Sequence, residues 1–223
     1  MSVAIDAGLI AEMTAWRRDL HAHPEFGFEE KRTSAFVASK LREFGFDEVV
    51  EGVGGTGVVG TLRRGRSNRA IALRADMDAL RIAEQTQCDY QSRNPGVMHA
   101  CGHDGHTAML LGAAKYLAEQ GCFDGAVRFI FQPAEEWGKG ALAMLGDGLM
   151  ERFPFEEIYG LHNMPGLPVG HFETRVGPLM SAEDNFEITL RGVGGHAAQP
   201  QWGRETLVAA CALVVNLQTI VAR

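Results

Sequence analysis

The residues most able to do chemistry lie in four short groups. The first is His99-Ala-Cys101-Gly-His103-Asp104-Gly-His106. Cysteine, histidine and aspartate are natural ligands of a borderline-soft ion such as Zn²⁺. Cys101 and His103 stand two residues apart across a glycine, so both can reach one ion from a loop. The plainer reading is a polar loop feeding a helix, with Asp104 as its N-cap. His99 and His106 suit supporting or structural places. The second group is Glu135-Glu136, after the apolar run Val127–Phe131. Adjacent carboxylates repel unless a cation is near. With one, a carboxylate can bind metal while its neighbour moves protons; without one, the pair is a solvated acidic loop. The third is Tyr159-Gly-Leu-His162-Asn163, where His162 is either a ligand or a satisfied core histidine. The fourth is Arg74-Ala-Asp76-Met-Asp78. Alternate positions of extended chain face one way, so both aspartates can look into one cleft; the alternative is a turn capped by aspartates.

The elements between these groups alternate in period. Ile5, Leu9, Met13, Trp16 and Leu20 form one helix face, and Phe36, Val37, Leu41 and Phe44 a second, closed by Gly45. Strand-like runs follow at Val49–Val53, Gly57–Arg63 and Ala70–Ala75, then a loop to Asp104. A helix over Thr107–Glu119, a buried strand Val127–Phe131, a helix over Gly140–Glu151 and strands at Ile158–Leu161 and Val169–Glu173 complete the pattern. It predicts an α/β fold, a mixed sheet with helices on both faces. The four groups fall at element ends, where such sheets gather ligands. A shared metal centre explains them together. Past a seam near Gly177, Phe186, Ile188 and Leu190 alternate with Glu187, Thr189 and Arg191 as a further strand. A glycine turn at 192–195 and a helix from about Arg204 to Val221 follow.

Bulk properties narrow the class. The 223 residues are 46% hydrophobic and 22% charged, with a formal net charge of −7, which argues against general nucleic-acid or anionic-membrane binding. No run approaches the roughly 18 apolar residues of a membrane helix. The first twenty residues lack an apolar secretory core. Cys88, Cys101, Cys122 and Cys211 are scattered rather than framework-like, so a cytoplasmic setting is expected.

The stretches RRDLHAHPEFGFEE (17–30), ALRADMDAL (72–80), MHACGHDGHTAMLLGAAKYL (98–117), FQPAEE (131–136), GLHN (160–163) and GGHAAQP (194–200) resemble the M20 metallopeptidase family. The similar branch contains hippurate hydrolases, N-acyl-amino-acid amidohydrolases and plant auxin-conjugate hydrolases. The resemblance implies a catalytic domain over 1–178 and the beginning of a smaller α+β lid and dimerisation domain over 179–223. It implies two divalent ions per subunit (Zn, Mn, Co or Ni), with Cys101 as the bridging ligand and His103, Glu136 and His162 as terminal ligands. Glu135 resembles the general base, and Asp78 the aspartate that orients the site from behind. His196 resembles the lid histidine that reaches a neighbouring subunit's site in a homodimer; read alone, it is a turn histidine. Asp76 stands where other branches carry a histidine ligand and is not counted as one.

The chain departs from that pattern at Arg81, where many relatives have proline, and in length. Relatives continue past the lid to a last histidine ligand and further strands. The implied activity is hydrolysis of small N-acyl amino acids to a carboxylic acid and a free amino acid. One competing reading is a truncated, inactive metal-binding or dimerisation module. Another is a Cys-His hydrolase with Cys101 as nucleophile, which leaves Glu135, Glu136 and His162 without roles.

Overall fold

The computed structural model describes residues 6–182 and 184–220; Ile5, Val221 and the ends beyond them lie outside the described residues. The chain divides into two compact units, 1–173 and 174–223.

The first unit is built on a five-stranded sheet in the order β1-β2-β4-β3-β5. Its strands are β1 (Glu48–Val53), β2 (Gly57–Arg64), β3 (Ala70–Asp76), β4 (Gly125–Gln132) and β5 (Glu157–Gly160). β1 and β2 form an antiparallel hairpin, and β2 pairs antiparallel with β4. β3 runs parallel to both β4 and β5, so these three strands end along one edge of the sheet. Every residue of β4 is buried, as expected of a central strand covered on both faces.

Helices α1 (Ala7–Ala22), α2 (Lys31–Glu43) and α3 (His103–Gln120) cover one face. Leu9, Trp16, Val37, Leu41, Leu111, Phe129 and Phe131 share their core. The other face is closed by α4 (Gly140–Gly146) and α5 (Leu149–Arg152), whose Met144 and Leu149 pack on Val59, Ala72 and Ile130. Fully burying one such apolar side chain is worth about 1.5–3 kcal/mol. The mixed sheet with helices on both faces agrees with the sequence reading.

Several local expectations need correction. The helix expected over Gly140–Glu151 is two helices, because Gly148 adopts φ +79° and breaks the ladder between them. The N-cap of α3 is Gly102, at φ +90°, and Asp104 lies inside the first turn. A side chain at 102 would also collide with Asn163, whose Nδ2 stands 2.0 Å from the place of a Cβ. The run Val169–Glu173 is not a strand, and Val169 is fully exposed.

The second unit contains α6 (Leu207–Leu217) and a single 3₁₀ turn over Pro200–Trp202. The strand expected at Phe186–Leu190 does not form; among the described residues of this unit an isolated bridge joins Val193 to Arg204. Alternation specifies two faces, but a strand also needs a neighbouring edge to pair its N–H and C=O groups. Among the described residues neither 169–173 nor 186–190 pairs with a strand.

Candidate metal centre

The common edge of β3, β4 and β5 places the reactive groups. Asp76 ends β3 and Asp78 follows two residues on; Glu135 and Glu136 follow β4 in a single 3₁₀ turn; His162 follows β5. His103 opens α3, with Cys101 just before it. Ligand atoms of Cys101, His103 and His162 lie within 4.8 Å of one another, as do those of His103, Glu135 and Glu136. Cys101 Sγ is 3.4 Å from His162 Nε2.

His103 is the hinge of the arrangement. Its Nδ1 lies 2.9 Å from the Asp78 carbonyl oxygen and 3.2 Å from Asp78 Oδ1. Both partners are acceptors, so Nδ1 carries the hydrogen, and the neutral ring would offer its Nε2 lone pair to an ion. Nε2 faces Glu135 and Glu136 at 3.8 Å each, too far for a hydrogen bond. His103 Nε2 and Glu136 Oε1 are both buried without a hydrogen-bond partner. Such orphans are rare in native interiors. A cation bound at about 2.0–2.2 Å from each would satisfy them. Asp78 also accepts from the Glu136 backbone N–H through Oδ2, at 3.0 Å. It thus braces one histidine and one glutamate from behind.

The charge balance asks for the same cation. Burial, then the carboxylates of Glu136, Asp76 and Glu135, push the Cys101 thiol up to about 12. Burial, with Asp78 and Glu135, raises Glu136 despite His103. Asp76 behaves otherwise. Although burial opposes it, the hydrogen bond from His106 and the charges of His103 and Arg74 hold its carboxyl well below the usual range. Its oxygens are engaged by His106 Nδ1 at 2.6 Å and Arg74 Nη1 at 2.8 Å. His106 is buried between Asp76 and Asn163, a structural place.

His196 lies in the second unit. It is exposed, and its Nδ1 accepts the Ala198 N–H at 3.2 Å. Arg81, the departure noted above, stacks over Phe26 at 4.1 Å from the ring centroid.

Glu30 was not singled out in the sequence, where it reads as one more charge before a helix. It is fully buried, and burial raises its carboxyl above the ordinary range. Oε1 accepts the Ala134 N–H at 2.8 Å and Oε2 the Thr56 hydroxyl at 2.5 Å. Ala134 has φ +45°, costly for a residue with a Cβ, and it aims the two glutamates that follow. Glu30→Ala should therefore destabilise the fold by at least the ~1–3 kcal/mol of an unsatisfied buried donor. Urea unfolding would measure it, and an unchanged midpoint would remove Glu30 from this role.

These features coincide with a family match. The model of peptidase family M20/M25/M40 matches residues 72–220. The chain belongs to that family. A hippurate hydrolase of Campylobacter jejuni is 48% identical over 215 residues, covering 96% of this chain and 56% of the relative. An N-acetyl-L-cysteine deacetylase of Bacillus subtilis is 45% identical over 208 residues, covering 93% and 49%. Among solved structures, a Bacillus subtilis protein described as a dinuclear metal binding peptidase of the M20 family is similar with a TM-score of 0.70 and 41% identity, covering 74% of this chain and 46% of that one. The chain spans about half the length of the curated relatives it matches. The donor set and the family together support the binding of divalent metal.

Proposed function

We propose that this M20 chain belongs to an amidohydrolase that cleaves N-acyl amino acids at a two-ion centre. The reading rests above all on the orphaned pair His103 Nε2 and Glu136 Oε1, buried beside Cys101, Glu135 and His162. Cys101 would bridge two ions, with His103, Glu136 and His162 as terminal ligands and Asp78 fixing His103 and Glu136. Zinc, manganese, cobalt and nickel all suit a mixed sulfur, nitrogen and oxygen donor set.

When bound, the ions supply Lewis-acid activation of water and of the amide carbonyl. Glu135 is the free carboxylate: 41% of its side chain is exposed, against 16% for Glu136. It takes the proton of the attacking water and returns it to the departing amide nitrogen. The products are a carboxylic acid and a free amino acid. A cavity of about 890 Å³ beside Cys101 and His162, lined also by Ile10, Met13 and Met109, has room for an apolar acyl group.

His196 would stabilise the developing oxyanion in the site of a neighbouring subunit, the second unit serving as lid and dimer contact. The setting that suits such a small-molecule enzyme with well-separated cysteines is the cytoplasm. No helix among the described residues is long and apolar enough to cross a membrane.

The test uses protein extended to its relatives' length and reloaded with metal. A panel of N-acyl amino acids should release free amino acid, and release should stop on chelation. A panel left intact by fully metal-loaded protein would sink the reading. In the same protein, Glu135→Gln and His196→Ala should each be inactive alone yet recover part of the activity when mixed. No recovery after confirmed subunit exchange would place His196 outside the partner's site.

A further inference from the structure

A second group of donors lies across the start of the fold. His21, on the last turn of α1, meets Glu84 and Cys88 on the long loop between β3 and α3. One ligand atom from each lies within 4.8 Å of the other two. None of the three belongs to the Cys101 centre. We infer that His21, Glu84 and Cys88 form an additional site for one borderline-soft divalent ion such as Zn²⁺.

The chemistry of the three is that of a zinc site: one nitrogen, one oxygen and one sulfur, with a fourth position open. His21 is prepared as a ligand. Its Nδ1 lies 2.9 Å from Asp104 Oδ2, and its Nε2 is directed at Glu84 Oε1 at 3.1 Å. Both partners are carboxylates, so without an ion each ring nitrogen carries a hydrogen; an ion on Nε2 would displace its proton while Asp104 keeps the Nδ1–H and the ring in place. Glu84 and Asp104 side chains are only 2% and 3% exposed, so two carboxylates converge on one imidazole away from water.

The loop is folded to bring sulfur to the same oxygen. Gln87 adopts φ +58°, and on either side of it the Thr86 hydroxyl and Cys88 Sγ both turn to Glu84 Oε1, the sulfur at 3.9 Å.

An independent observation points to a missing partner. His99 is 4% exposed, its ring centroid is 6.4 Å from that of His21, and neither of its ring nitrogens has a hydrogen-bond partner. A buried imidazole with both nitrogens idle is rare in a native interior, and this one stands beside His21 rather than among the three donors. An ion here would tie α1 to the loop that leads into Cys101, releasing the His21 Nε2 proton and the Cys88 thiol proton to solvent as it binds.

Cobalt(II) loading tests the site, because thiolate ligation produces a charge-transfer absorption that carboxylate and imidazole do not. The Cys101→Ser variant should keep such a band, and adding Cys88→Ser should abolish it. Cys88→Ser alone should bind one ion per chain fewer than the unsubstituted protein, counted by elemental analysis after desalting, with an unchanged circular-dichroism spectrum. Equal ion counts in the Cys88→Ser and unsubstituted proteins would overturn the site. So would a band that survives in the double variant. If Cys101→Ser does not fold, the ion count of Cys88→Ser decides alone. The result is independent of whether the Cys101 centre hydrolyses amides.

Discussion

Glu135→Gln, made in protein of the relatives' length, should keep its metal and lose turnover by about 10²–10⁴-fold, the usual contribution of a positioned general base. Glu136→Gln should instead lose metal. The two side chains are sequence neighbours of identical chemistry, so the contrast rests on their surroundings. Glu136 has a buried, unpartnered Oε1 and a backbone N–H held by Asp78. Among the described residues that oxygen has no hydrogen-bond partner, which suits a fixed ligand. Glu135 is more exposed and its carboxyl can reach an incoming water. Glutamine at 135 preserves shape but cannot accept a proton. Metal content by elemental analysis and kcat at saturating metal separate the two. Equal metal loss in both variants would contradict the division of labour.

Asp78→Asn should weaken metal binding by about 10–100-fold, the cost typical of losing the partner behind a metal-bound histidine. The aspartate holds two things at once: Oδ1 faces His103 Nδ1, and Oδ2 accepts the Glu136 N–H. An asparagine has one oxygen for these two donors, so its amide must turn an N–H toward one of them. The Asp78 carbonyl still accepts from His103, which keeps the ring in place and makes the loss partial. Competition against a chelator of known affinity reads the change. If Asp78→Asn holds metal as tightly as the parent, the aspartate is only a packing residue.

Much of this site was legible because its components are local. The strand read at Gly57–Arg63 and the buried run Val127–Phe131 show themselves in the sequence, and the ligand types stand in short motifs. What the sequence hid is tertiary. Glu30 looks like a solvated charge, and only the approach of the Ala134 turn, 104 positions away, makes it a buried anchor. The meeting of His21 with Glu84 and Cys88 is equally long-range. At Val169–Glu173 and Phe186–Leu190 the error ran the other way. Their apolar residues suit strands, yet pairing depends on an edge that no periodicity can report.

The shared edge of the three parallel strands has a further consequence. Cys101 and His103 at the start of α3, Glu136 after β4 and His162 after β5 arrive from three separate stretches of chain. Ions held by these residues would act as a staple, closing loops that the unfolded chain would leave open. Because the unfolded chain has no such cage, occupancy enters the folding equilibrium itself, worth about 2.7 kcal/mol when free metal is a hundred times its dissociation constant. The resilience of the first unit would then be set partly by the metal supply around it.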